Sequence, residues 1–102
     1  MEQIKAILRE ELNNSISMQQ KFEQSLHNLP KGSIVEKEIG NHLYHYRAYR
    51  EGGKVKFEYL GKLSARELQV LHSKQKSRKQ ISQSIRDLKK QIAFLERALN
   101  EK

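Results

Sequence analysis

The chain has 102 residues, 36% apolar and 31% charged, with a formal net charge of +8. That is enough for one domain, and the balance suits long paired helices that bury one seam and leave the rest wet. The absence of cysteine excludes a disulfide framework and thiolate chemistry, and the apolar runs are far too short for a membrane span.

The N-terminal stretch "MEQIKAILREEL" carries acids and has no apolar core of the secretory type, so the expected location is the cytoplasm. No Pro or Gly interrupts residues 2–28. Ile4, Leu8, Leu12, Ile16, Phe22, Leu26 and Leu29 fall at steps that suit one face of a helix, predicted over 1–28. Pro30 and Gly32 stop it.

The pattern then changes to strands over 33–61. "SIVEKEI" ends at Gly40-Asn41, "HLYHYRAYR" at Gly52-Gly53, and "KVKFEYL" at Gly61, which predicts a three-stranded antiparallel meander. Two-residue turns at those positions place Val35 opposite Tyr46, Glu36 opposite His45, Tyr46 opposite Tyr59 and Arg47 opposite Glu58. Such cross-strand pairs contribute roughly 0.2–1 kcal/mol each. One face then carries Val35, Ile39, Tyr44, Tyr46, Ala48, Val55, Phe57 and Tyr59, and it is the face a helix is expected to cover. The other carries Ile34, Glu36, His45, Arg47, Tyr49, Lys56 and Glu58.

A second helix is predicted over 64–100. Ser64 and Glu67 have capping-box spacing. Ile81, Ile85, Leu88, Ile92, Leu95 and Leu99 alternate in steps of four and three, a heptad seam. Matching the polar gaps of the two helices puts Ser15 opposite Arg78 and Gln19 opposite Lys74. On that register Phe94, Leu95, Ala98 and Leu99 overhang without an intrachain partner, which suggests a homodimer or partner contact. The fold expected for residues 1–102, a single domain, is therefore α+β: a long antiparallel, coiled-coil-like helical hairpin with a three-stranded β-meander inserted at its tip.

Charge is uneven along the chain. Residues 1–30 carry three basic and four acidic groups, 31–63 seven and four, and 64–102 ten and four. The excess in the last segment suggests a polyanionic partner, first of all nucleic acid. In "HSKQKSRKQISQSIRDLKK", Lys76, Arg78, Lys79, Arg86 and Lys90 are the candidate phosphate contacts. Binding through them would fall with salt at a log–log slope of about −0.9 per phosphate neutralised. In the sheet, Arg47, Tyr49 and Lys56 share a face, with Arg50 and Lys54 at the turn. A ribbon of that kind suits a DNA groove, though Glu36, Glu38 and Glu58 on the same face oppose phosphate. DNA is expected ahead of RNA.

No nucleophile elbow, phosphate loop, HExxH or Cys/His cluster is present, so no enzyme, metal or cofactor is expected. His42 and His45 are three apart, which on a strand places them on opposite faces. "LPKGSIVEKEI" followed by "YHYRAYREGGKVKFEYLGK" resembles a sheet module of largely uncharacterised small bacterial and mobile-element proteins. The likeness covers about residues 29–62 and implies a fold element without an activity. The strands also look broadly similar to the DNA-binding sheets of phage-type integrase arm domains. Two functions follow as expectations. The first is a non-enzymatic nucleic-acid-associated protein. The alternative is a protein-interaction module, such as a phage or mobile-element inhibitor of the anti-CRISPR type or an adaptor. Its partner protein would itself bind nucleic acid, and no membrane contact is expected of either.

Overall fold

The computed structural model describes residues 2–100. The element order is α1 (Glu2–His27), β1 (Ser33–Ile39), β2 (His42–Glu51), β3 (Lys54–Gly61) and α2 (Ala65–Asn100). This is the α+β arrangement expected, with a three-stranded antiparallel sheet between two helices that pack against each other. The chain forms two compact units: Met1–Asn28 with Lys79–Lys102, and Leu29–Arg78.

In the first unit α1 pairs with the C-terminal part of α2. The seam buries Ile85, Leu88 and Leu95 to between 6% and 8% exposure. Burial of a large aliphatic side chain contributes about 1.5–3 kcal/mol. Ser15 is also buried, and its Oγ accepts a hydrogen bond from Gln91 Nε2 at 3.2 Å. A small side chain at this point lets the helices approach, and the hydroxyl is satisfied across the seam.

That contact corrects the helix register. Ser15 lies near Gln91 rather than Arg78, thirteen residues further along α2 (91 against 78). The reason is apolar area: the observed pairing buries Leu95, at the end of the heptad that the gap-matching register left uncovered. The predicted overhang is therefore absent. Leu95 is buried in the single chain, Ala98 and Leu99 are half-buried, and of the four only Phe94 is exposed, at 61%.

In the second unit both strand registers are as the turns predicted. Val35 pairs with Tyr46, Glu36 with His45, Arg47 with Glu58 and Ala48 with Phe57. Gly52 and Gly53 both have positive φ, 60° and 77°, the conformation a two-residue hairpin of matching twist requires. The β2–β3 register shifts by a bulge between His45 and Tyr46. At the start of α2 the capping box is formed: Glu67 N donates to Ser64 Oγ at 3.1 Å, and Ser64 N to Glu67 Oε2 at 3.4 Å.

The covered face of the sheet is the reverse of the one expected. Val35, Ile39, Val55, Phe57 and Tyr59 are exposed, Phe57 at 64% and Tyr59 at 59%. On the other face His45 is only 3% exposed, and Ile34, Arg47 and Tyr49 are half-buried. The linker between α1 and β1 decides this. Its carbonyls accept from three side chains: Leu29 O from Arg78 Nη1 at 3.0 Å, Lys31 O from Arg47 Nη1 at 2.9 Å, and Gly32 O from Gln75 Nε2 at 2.8 Å. Arg47 projects from the charged face, so the linker is tied to that side and the aromatic side stays open.

Candidate nucleic-acid interface

The sheet residues expected to read nucleic acid are largely committed to the fold. Arg47 donates to Glu58 Oε2 from Nε at 3.1 Å and from Nη2 at 2.5 Å, besides its bond to Lys31 O. Its guanidinium also lies 4.1 Å from the centroid of the Tyr49 ring. A fork with every arm engaged and its side chain mostly buried is a structural clamp. Lys56 is exposed and lies 3.8 Å from Glu51 across the hairpin. Lys54 is exposed at the start of β3. Arg50 pairs with Val55, and strand alternation puts it on the opposite face from Arg47. The structure thus separates Arg50 from Arg47, Tyr49 and Lys56.

On α2 the candidates divide in the same way. Arg78 is half-buried and holds the Leu29 carbonyl, which makes it part of the linker's anchorage. Arg86 is exposed and donates to Gln83 Oε1 at 2.7 Å on its own helix. Lys76, Lys79 and Lys90 are exposed and make no ion pair among the described residues.

His45 is the buried polar group of the sheet. Its Nε2 lies 3.5 Å from Glu36 Oε1, without hydrogen-bond geometry, and neither ring nitrogen has a hydrogen-bond partner. Among the described residues no group of three His, Cys, Asp or Glu side chains is placed to hold a metal ion. Among the described residues no helix is long and apolar enough to cross a membrane.

The open face holds what the sequence reading assigned to a core. Tyr46 and Tyr59 are directly opposite, with ring centroids 5.2 Å apart, and Tyr44 lies 6.3 Å from Tyr59. Lys62 Nζ stands 5.8 Å from the Tyr44 centroid. Val35, Lys37, Tyr46 and Phe57 line a shallow depression. A signal in the sequence pointed here: with the registers fixed, all four acids of the sheet fall on the other face.

A family model described as a domain of unknown function, DUF6788, matches residues 1–70. The chain belongs to the DUF6788 family. The matched region takes in α1, the whole sheet and the first turns of α2, whereas Lys76, Lys79, Arg86 and Lys90 lie beyond it. No curated protein and no solved structure matches the chain. The open aromatic face therefore lies inside the part of the chain that defines DUF6788, and the basic stretch of α2 does not.

Proposed function

We propose that this DUF6788 protein is a non-enzymatic nucleic-acid-associated binding protein, with DNA as its first ligand. The observation that carries the reading is the basic surface of α2. Lys76, Lys79, Arg86 and Lys90 follow one another at steps of three, seven and four, and all four are exposed. Those steps keep them on one stripe of a helix, where they can follow a phosphate backbone. Arg47 and Arg78, tied to Glu58 and to linker carbonyls, leave this work to that stripe.

A salt-titrated binding assay on duplex and single-stranded DNA and RNA tests the reading. The expected result is binding at low salt whose log–log slope falls by about 0.9 for each of Lys76, Lys79 and Lys90 changed to alanine. Absence of binding to every polynucleotide at low salt overturns it. The protein-interaction alternative draws on the exposure of Phe94, Ile4 and Ile7 on the helices. A chain that ignores nucleic acid but sediments as a dimer would favour that reading, with a second copy as the partner.

A further inference from the structure

The open face of the sheet is a feature that the basic helix leaves unused, and the distribution of charge tells what fits it. Strand alternation sends Glu36, Glu38, Glu51 and Glu58 to the covered face, and the contacts agree. Glu58 meets Arg47, Glu36 approaches His45, and Glu51 approaches Lys56. The open face has no carboxylate. Its charged side chains are Lys37 on β1 and Arg50 on β2, and Lys62, just past β3, stands over the Tyr44 ring. Between these cations lie Tyr44 and Tyr46, half-buried, and Phe57 and Tyr59, more than half exposed.

Aromatic rings set side by side on a sheet, rimmed by cations and clear of acids, match the chemistry of an unstacked polynucleotide. Exposed bases have flat apolar faces that stack on aromatic rings, and their phosphates need cations at the edge. A duplex hides its base faces and offers nothing for the rings to stack against. An acidic or apolar protein surface would use the cations or the rings, but not both in alternation along a strand. We propose that this face is a stacking platform for single-stranded DNA. Tyr44, Tyr46, Phe57 and Tyr59 receive about two or three successive bases, and Lys37, Arg50 and Lys62 hold the phosphates. The assignment to DNA rather than RNA is carried over from the reading above, and the comparison with RNA below tests it. The inference rests on the nucleic-acid reading above and adds to it a second, separate surface and a strand state.

The chain contains no tryptophan and four tyrosines, three of them on this face, so intrinsic tyrosine emission reports stacking directly. The experiment titrates the full chain with a short oligothymidylate, with a duplex and with the matching oligouridylate, reading emission and anisotropy. The expected result is quenching by the single strand and no quenching by the duplex. Tyr59→Ala and Phe57→Ala should each weaken single-strand binding by about 5- to 150-fold, and Tyr59→Phe should restore most of it. Both positions are exposed, and circular dichroism of each variant checks its fold; quenching of the unaltered chain is read independently of any variant. Equal affinity for duplex and single strand without quenching, lowered by Lys79→Ala but not by Tyr59→Ala or Phe57→Ala, overturns the platform and leaves the basic-helix reading standing. Loss of all binding to nucleic acid overturns both. Tighter binding of the oligouridylate than of the oligothymidylate overturns the assignment to DNA.

Discussion

The two faces of the sheet come from the same three strands, residue by residue in alternation, and differ in nearly every property. The covered face is polar by composition and yet buries His45 to 3% exposure. It is held by Arg47, which joins Glu58, the Lys31 carbonyl and the Tyr49 ring. The open face is apolar by composition and leaves Phe57 and Tyr59 mostly in water. Composition alone would assign the opposite roles. The difference teaches that a face is covered where backbone passes over it and finds donors. Three linker carbonyls need partners, and Arg47, Gln75 and Arg78 supply them. Apolar area left outside by such an arrangement becomes available for binding.

The largest expected effect on this comparison comes from the linker. Gly32 has φ +94°, and a Cβ there would sit 2.0 Å from the Ala48 carbonyl oxygen. Both the backbone conformation and the close approach require glycine. Gly32→Ala should destabilise the protein by an amount at the upper end of about 1–3 kcal/mol, read by denaturant melting. The contact is with backbone, so no side-chain rotation relieves it. A variant as stable as the unaltered chain would mean that the linker does not pass this closely over β2, and the distinction between the faces would lose its cause.

A smaller effect is expected at the clamp. Arg47→Ala removes the ion pair with Glu58, the bond to Lys31 O and the stack on Tyr49. Glu58 is half-exposed, so solvent screens much of the charge attraction. The expected cost is about 1–2 kcal/mol. Arg47→Lys should recover little of it, because a point charge cannot reach three partners in different directions. Affinity for nucleic acid should fall no further than the loss of folded protein explains. A drop in affinity at full stability would return Arg47 to the binding surface and erase the difference between the faces.

How far all this was legible in the sequence depends on the range of the interactions involved. Both strand registers followed from Gly40-Asn41 and Gly52-Gly53, because a two-residue turn fixes which residues face each other. The start of α2 followed from Ser64 and Glu67, a contact spanning three residues. The covered face did not follow. It is set by Gln75 and Arg78 bonding carbonyls 43 and 49 residues away, and no local pattern announces such partners. The helix register failed for a different reason. A heptad seam looks much the same after a shift close to two repeats, and the thirteen residues between Arg78 and Gln91 are one short of that, so matching Ser15 to Arg78 resembled the observed match to Gln91. Lys76, Lys79 and Lys90 were legible as a basic stripe, whereas Arg47 and Arg78 carried the same charge and proved structural.

The smallest expected effect on stability is also the sharpest test of the open face. Phe57 lies opposite Ala48 on the edge strand and is 64% exposed, the most exposed large apolar side chain described. If the face is free in the single chain, Phe57→Ala removes little buried area and leaves no cavity. The cost should then stay within about 0.5 kcal/mol, the range of ordinary surface changes. A buried phenylalanine would lose about 3–5 kcal/mol on the same change. The measurement is the unfolding midpoint at several protein concentrations. A cost of several kcal/mol that grows with concentration would show a second copy seated on the aromatic face, since only a partner present in the folded state makes stability depend on concentration. A small cost at every concentration would leave the rings open to solvent, and the same substitution would then test the proposed single-strand binding. A residue that stability ignores and binding requires, set against Arg47, where the order is reversed, would separate the two faces in function.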